Sequence, residues 1–282
     1  MKMSTKHKIG TAVYHVIVCG IGLIMIYPII WMAFSSFKES GDVLTTVNQL
    51  IPSKFVFENY VNGWAGFAGT SFSVFFRNSF FITILSTIGG VFSSVVVAYG
   101  FSRLHFKLKG LWFAIMMMTL MLPAQVLMIP QYIMFGSIGW TNSFLPVIVP
   151  EFFGKPFFIF MCMQFISGLP RELDEAAKID GCSLFTIFSR IIMPLLKPAM
   201  ITCAIFAFYW KWDDYMGSLL YLTEPRLYTV SIAVKQFADP TSVSDWGAMF
   251  AMCTLSLLPV IILFICLQKY IVDGIATSGL KG

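Results

Sequence analysis

Residues 167–197 read SGLPRELDEAAKIDGCSLFTIFSRIIMPLLK, a polar stretch between long apolar runs. Its first half carries the signals of a helix start. Pro170 suits the first helical position, where a missing N–H costs nothing. Glu172, Asp174 and Glu175 fall in the first turns, where acidic groups favour a helix N-terminus. Leu173, Ala176, Ala177 and Asp180 continue at helical spacing, and Gly181 reads as the stop. A second, amphipathic helix is predicted from Leu184, Phe185, Ile187, Phe188, Ile191 and Ile192, ending at Pro194. The stretch thus predicts a short helix, a sharp glycine turn and a second helix at a membrane surface. Ala176 and Ala177 form a small-residue face suited to docking in a partner's groove. A surface-lying loop with no partner fits the same pattern.

Outward from this loop the chain is apolar. Of 282 residues, 57% are hydrophobic and 12% charged, against about 25% charged in ordinary soluble domains. That composition excludes a soluble enzyme, and its aromatic content excludes disorder. Each helical span takes about 20 apolar residues. Six segments qualify: 12–34, 74–100, 111–136, 143–166, 198–221 and 246–268. The fold class expected is an all-α polytopic membrane protein with six transmembrane helices. The connecting segments alternate sides. One side, with the N-terminal tail, loop 101–110, loop 167–197 and the tail after 268, carries twelve Lys and Arg. The other carries four: Lys38, Lys54, Arg226 and Lys235. Arg77, Lys155 and Lys211 fall within or at the edge of spans. The positive-inside rule then places both termini in the cytoplasm. The basic N-terminus leads into a run too long for a signal peptide and reads as an uncleaved first span.

Gly20/Gly22 and Gly89/Gly90 with Ser93/Ser94 suit close helix packing in lipid. Prolines 28, 123, 130, 146, 150, 156 and 259 interrupt spans, a pattern tolerated where a cavity re-satisfies the backbone. The six cysteines form no CxxC, which indicates neither a disulfide framework nor a metal site. His7, His15 and His105 stand alone, with no HExxH or GxSxG, so an enzyme is disfavoured.

With loop and spans in place, the sequence resembles the permease subunits of binding-protein-dependent ABC importers. Their cytoplasmic signature is EAA, three residues, G, nine residues, I, one residue, LP. Here Glu175-Ala176-Ala177 is followed by three residues, Gly181, nine residues, and Ile191-Ile192-Met193-Pro194, with Met193 where the family usually has Leu. Residues 170–181, MLPAQVLMIPQYIMF at 121–135, Gly139-Trp140-Thr141-Asn142, 268–274 and the ending Gly279-Leu280-Lys281-Gly282 look like carbohydrate importers of the maltose-permease type, in particular the smaller six-span subunit. The likeness covers nearly the whole chain and is weakest at 35–73 and 222–245.

The resemblance implies an ABC type I importer permease fold with a cytoplasmic coupling helix. It implies one transmembrane permease domain over 1–282, with a core at about 74–268, the coupling loop at 167–197 and a C-terminal cytoplasmic tail at 269–282. The implied function is ATP-driven import of a sugar or oligosaccharide, this chain forming half of the path by alternating access. The implied partners are a second homologous permease, two cytoplasmic ABC ATPase subunits and an extracellular or periplasmic sugar-binding protein, at a bacterial cytoplasmic membrane and without nucleic acid. Carried over residue by residue, Glu175, Ala176, Ala177, Asp180, Gly181 and Pro194 are the ATPase-coupling set. Gly279, Leu280, Lys281 and Gly282 are an ATPase-contacting tail, for which a frayed terminus is the alternative. ATP and Mg belong to the ATPase, with no cofactor in this chain, and no GxxxxGK[ST] occurs in it.

The substrate path is sought at Tyr209-Trp210-Lys211-Trp212-Asp213-Asp214-Tyr215. Charged groups near a span are costly and face a cavity or each other. Aromatic faces stack on sugar rings and carboxylates accept hydroxyl hydrogen bonds. The candidates are Trp212, Asp213, Asp214, Tyr215 and, in the fourth span, Glu151, which stands i, i+4 from Lys155. The family usually has Trp-Asn-Glu/Asp-Phe/Tyr here, and Asp213 replaces the Asn. Interhelical polar contacts with an interfacial aromatic belt form the other reading. A non-sugar solute, or a secondary carrier, are the alternative functions.

Overall fold

The computed structural model describes the backbone of residues 5–237 and 245–279 and the side chains of 10–237 and 245–270. The described residues are helical throughout their regular elements. In chain order these are α1 Thr5–Ser35, α2 Asp42–Thr45, α3 Glu58–Ala65, α4 Phe72–Arg103, α5 Lys109–Thr119, α6 Ala124–Ser137, α7 Leu145–Ile148 and, after a 3₁₀ turn Val149–Phe153, α8 Pro156–Ser167. Then come α9 Glu172–Ile179, α10 Leu184–Ile187, a π-helical turn Phe188–Ile192, α11 Met193–Leu195, α12 Lys197–Trp212, α13 Tyr215–Tyr221, α14 Val230–Gln236 and α15 Trp246–Gly279.

Four stretches are long and apolar enough to cross a membrane unbroken: Gly10–Ser35, Phe72–Arg103, Leu145–Ser167 and Trp246–Tyr270. Two further pairs are bent, α5 with α6 by 98° and Leu184–Leu195 with α12 by 73°. Counting each pair as one span gives six. The α5–α6 bend falls at Pro123, which lacks an N–H and pushes the residue before it out of helical geometry. The expected fifth span, 198–221, instead ends at Trp212. There Asp214 turns away to cap α13, accepting a hydrogen bond from Gly217 N–H at 2.9 Å. The candidate last span ends at Tyr270, at the start of the expected tail. Residues 269–279 hold no proline, so the helical ladder of α15 runs on to Gly279.

The chain divides into two compact units. The first is formed by the described residues up to Gly69 and those from Val234 to Leu258, and the second by Thr70–Ala233 with α15 from Pro259 on. In the first unit Lys38 is buried. Its ammonium donates to Thr46 O at 2.8 Å and Gln49 O at 2.6 Å, and it lies over the Trp31 ring. Asn59 donates to Ser36 O and Lys38 O, which ties α3 to the turn after α1.

The second unit is built on α4, whose neighbours are α8 and α12. Val95, Ala98 and Tyr99 of α4, Phe158, Cys162 and Ile166 of α8, and Ile187, Ile192, Ala199 and Cys203 further on form one buried cluster. Lipid is as apolar as these side chains, so close packing holds them rather than escape from water. Gly89 shows the closeness: a Cβ there would lie 2.5 Å from the Phe152 ring. A second cluster joins Ile82, Phe135, Val147, Ile148, Tyr221 and Ile232.

Candidate functional site

The 167–197 loop folds as a helix, a glycine turn and a second helix. α9 begins after Arg171, two positions beyond the expected start at Pro170, with Glu172, Asp174 and Glu175 in its first turn. It ends at Ile179. Gly181 takes φ +77°, a left-handed conformation that favours glycine. Cys182 N–H returns to Ala177 O at 2.9 Å and closes the turn. Ser183 caps the next helix, its Oγ accepting from Thr186 N–H at 3.1 Å.

The two faces of α9 have different environments. Glu175, Ala176 and Asp180 are exposed, and Ile179 is 87% exposed. Gly181 and Pro194 are exposed as well. Ala177 differs from the other residues of the expected coupling set. It is buried in the cluster with Ala98, Ile187 and Phe188, because positions 174 and 177 share the inward face of the helix. Its partner on that face is Asp174, which lies 2.9 Å from Arg103 Nε at the end of α4, their side chains 10% and 8% exposed. Arg103 also donates through Nη2 to Leu169 O at 2.9 Å. Tyr99, one turn earlier, donates to Leu184 O at 3.3 Å. The sequence drew attention to neither Arg103 nor Asp174 as a pair, since one stands in a charged cluster of a short loop and the other in a helix's first turn. Of the tail, Gly279 is the last helical residue, and Leu280, Lys281 and Gly282 lie outside the described residues.

A second polar site lies at the far half of α4. A cavity of about 210 Å³ is lined by Ser86, Glu151, Lys155, Phe158, Ala207, Trp210, Lys211 and Asp214. The i, i+4 pair expected at Glu151 and Lys155 forms at 2.8 Å. Lys211 joins it, reaching Glu151 at 3.1 Å and Asp214 at 3.3 Å. Four charges thus share three ion pairs around one opening. Trp210 stacks on Phe158 with centroids 5.5 Å apart, and Ser86 Oγ is buried without a hydrogen-bond partner among the described residues.

Of the five expected path residues, the cavity brings Glu151 and Asp214 together and omits three. Trp212 is buried against Phe76, Phe80 and Phe208, Asp213 is exposed at the end of α12, and Tyr215 packs on the second cluster. The reason is helical period. Positions 207, 210 and 211 of α12 fall on one face and 208 and 212 on another, while Asp214 reaches the opening from the break before α13. That spacing, applied to 207–214, is the signal that finds Trp210 and Lys211.

Residues 90–277 match the family described as binding-protein-dependent transport system inner membrane component. The chain is 36% identical to the probable ABC transporter permease protein YurM of Bacillus subtilis, over 91% of this chain and 84% of that one. It is 31% identical to the trehalose/maltose transport system permease protein MalG of Thermococcus litoralis, over 92% and 93%. Its fold matches a crystal structure of a bacterial ABC transporter involved in the import of the acidic polysaccharide alginate, with TM-score 0.81 and 21% identity, covering 96% of this chain and 99% of that one. The bent spans, the glycine-stopped loop helix and these likenesses converge: the chain belongs to the binding-protein-dependent transport system inner membrane components and is a multi-pass, non-catalytic permease subunit of an ABC importer.

Proposed function

We propose that the chain forms half of a translocation path for a sugar or oligosaccharide, and that α9 is the helix by which a cytoplasmic ATPase subunit drives it. The observation that carries the coupling reading is the outer face of α9. Glu175, Ala176 and Asp180 are exposed on a helix whose inner face is fastened to α4, and Gly181 supplies the turn behind them. Such a helix presents a carboxylate and a small side chain to a groove on another chain. Glu175 makes a charge-assisted contact to a basic group there. Pro194 marks the end of the loop. The ending Gly279–Gly282 extends toward the ATPase in the same reading, on its likeness to the maltose-type tail.

The family works with an ATPase and a solute-binding protein. The particular set proposed is a second homologous permease, two ATPase subunits that bind ATP and Mg, and an external sugar-binding protein. The whole chain acts as one permease domain with both termini in the cytoplasm, supported by the twelve-to-four split of Lys and Arg. Closure of the ATPase pair on ATP draws the docked loops together, and the spans rock from inward-facing to outward-facing. Sugar as cargo is supported by the trehalose/maltose system to which MalG belongs and by the cavity's chemistry. It offers the Trp210 ring beside two carboxylates and two ammonium groups.

Co-purification tests the reading. Co-expressed with candidate ATPase and solute-binding chains, the chain is expected to bring down an ATPase and a binding protein. Glu175→Lys or Gly181→Asp is expected to abolish both capture of the ATPase and transport, with membrane insertion unchanged. Normal uptake in either variant overturns the docking assignment. Titration of the captured binding protein with glycans names the cargo, and recognition of amino acids or phosphoesters alone replaces the sugar reading.

A further inference from the structure

We propose that the buried Arg103–Asp174 ion pair is a strut that carries displacement of α9 into the membrane along α4. The proposal rests on reading α9 as the ATPase-docking helix and names the part of the permease that receives its movement.

Three contacts converge on the last turns of α4. Arg103 Nε meets the Asp174 carboxylate at 2.9 Å, Arg103 Nη2 donates to Leu169 O at 2.9 Å, and Tyr99 donates to Leu184 O at 3.3 Å. They grip the loop before α9, within α9 and after its glycine turn. Below them Ala177, Ile187 and Phe188 pack in the same cluster as Val95, Ala98 and Tyr99. Among the described residues Asp174 accepts no side-chain hydrogen bond that would share its load, so Arg103 is its counter-charge. A buried pair of this kind contributes little net stability, because desolvation offsets the attraction, while loss of either partner strands a charge. A role in fixing two elements to each other suits such a pair better than a role in stability does.

α4 suits the task of transmission. It runs from Phe72 to Arg103 without a proline, whereas the neighbouring polypeptide bends by 98° between α5 and α6 and by 73° before α12. Ser86, on the same helix, lines the charged cavity. Seventeen residues separate it from Arg103, about 25 Å of continuous helix. A shift imposed on α9 therefore reaches the cavity through one rigid element, held at its loop end by the ion pair. Arg103 and Asp174 are positioning residues in this scheme.

The test uses the assembled transporter in nanodiscs: this permease, its partner permease and the ATPase subunits. Native cysteines are replaced, and a reporter cysteine is placed at the cavity, Ala207→Cys. Labelling of the reporter by a maleimide is followed with and without trapping by ATP, Mg and vanadate. With Arg103 and Asp174 intact, trapping is expected to change the labelling rate about tenfold, in the range of ordinary coupling energies. In Asp174→Asn the change is expected to vanish while ATP hydrolysis continues, and in the exchange Arg103→Asp with Asp174→Arg it is expected to return. Hydrolysis that proceeds without a cavity response is a readout that a merely structural pair would not move. An undiminished response in Asp174→Asn overturns the strut. Failure of both Asp174→Asn and the exchange variant to assemble makes the pair a folding element and overturns it too. If the unaltered permease captures no ATPase, the docking reading itself fails, and the two failures are thereby told apart.

Discussion

Two charged clusters sit along α4, and they are built on opposite plans. At its loop end, Arg103 and Asp174 form a single enclosed pair, each side chain about nine-tenths buried. At the cavity, Glu151, Lys155, Lys211 and Asp214 share three ion pairs, and Lys155 is 43% exposed. Among the described residues Asp174 has no second cation in ion-pair contact, and Arg103 is further held by Leu169 O, so the pair keeps one geometry. The shared network has redundancy: Glu151 keeps one lysine if the other leaves, and Lys211 keeps one carboxylate. In the proposed path, a polyhydroxyl solute takes over a hydrogen bond of Glu151 or Lys211, each of which keeps a second charged partner. The difference separates an element that must stay joined from one that can exchange partners.

The largest effect is expected at the enclosed pair. Arg103→Ala leaves Asp174 buried and uncompensated, and a loss of about 3–5 kcal/mol is expected, read by thermal or denaturant unfolding of the purified chain in detergent. A loss under about 1 kcal/mol would place Asp174 in contact with water and remove the distinction. Next in size is Lys211→Met, which removes two of the network's three ion pairs. The expected loss is about 1.5–3 kcal/mol, the scale of hydrogen bonds to charged groups, with Glu151 still held by Lys155. If Lys211→Met cost as much as Arg103→Ala, the network would not be redundant. Gly89→Ala sharpens the geometric side. Its Cβ meets the Phe152 ring beside Glu151, and about 1–3 kcal/mol of overpacking is expected, with altered solute uptake. Lys155→Ala, at the half-exposed edge of the cavity, is expected to cost under about 1 kcal/mol, measured the same way.

The smallest effect belongs to a third charged group, out of the membrane. Glu224 is held below the usual carboxylate range first by Arg226 and then by Asn142, which donates to it at 2.8 Å. A depressed carboxylate stabilises the folded form above its unfolded pKa, about 4.3, and that contribution fades as pH falls through the lower folded value. The melting difference between the unaltered chain and Glu224→Gln is expected near neutral pH and to shrink on acidification. A difference that grew on acidification would reverse the sign and the assignment.

What was legible in the amino-acid order was whatever depends on near neighbours. Apolar runs of span length, the acidic first turn of α9, the left-handed Gly181 and the i, i+4 contact of Glu151 with Lys155 all follow from residues within a few positions of one another. The signature spacing in 167–197 belongs to the same class. It is written along one continuous surface segment, which is why the family could be read from it. The bend at Pro123 and the end of α12 at Trp212 are likewise local, the one a missing N–H and the other the Asp214 cap. Helical period places Ala207, Trp210 and Lys211 on one face, yet only packing decided that this face, and not the one bearing Trp212, opens on a cavity. Arg103 and Asp174 are the clearest case. They stand 71 residues apart in the chain and meet at 2.9 Å. Local chemistry makes each an ordinary surface charge. Only the packing of α4 against the loop removes the water around them, and that removal makes each dependent on the other.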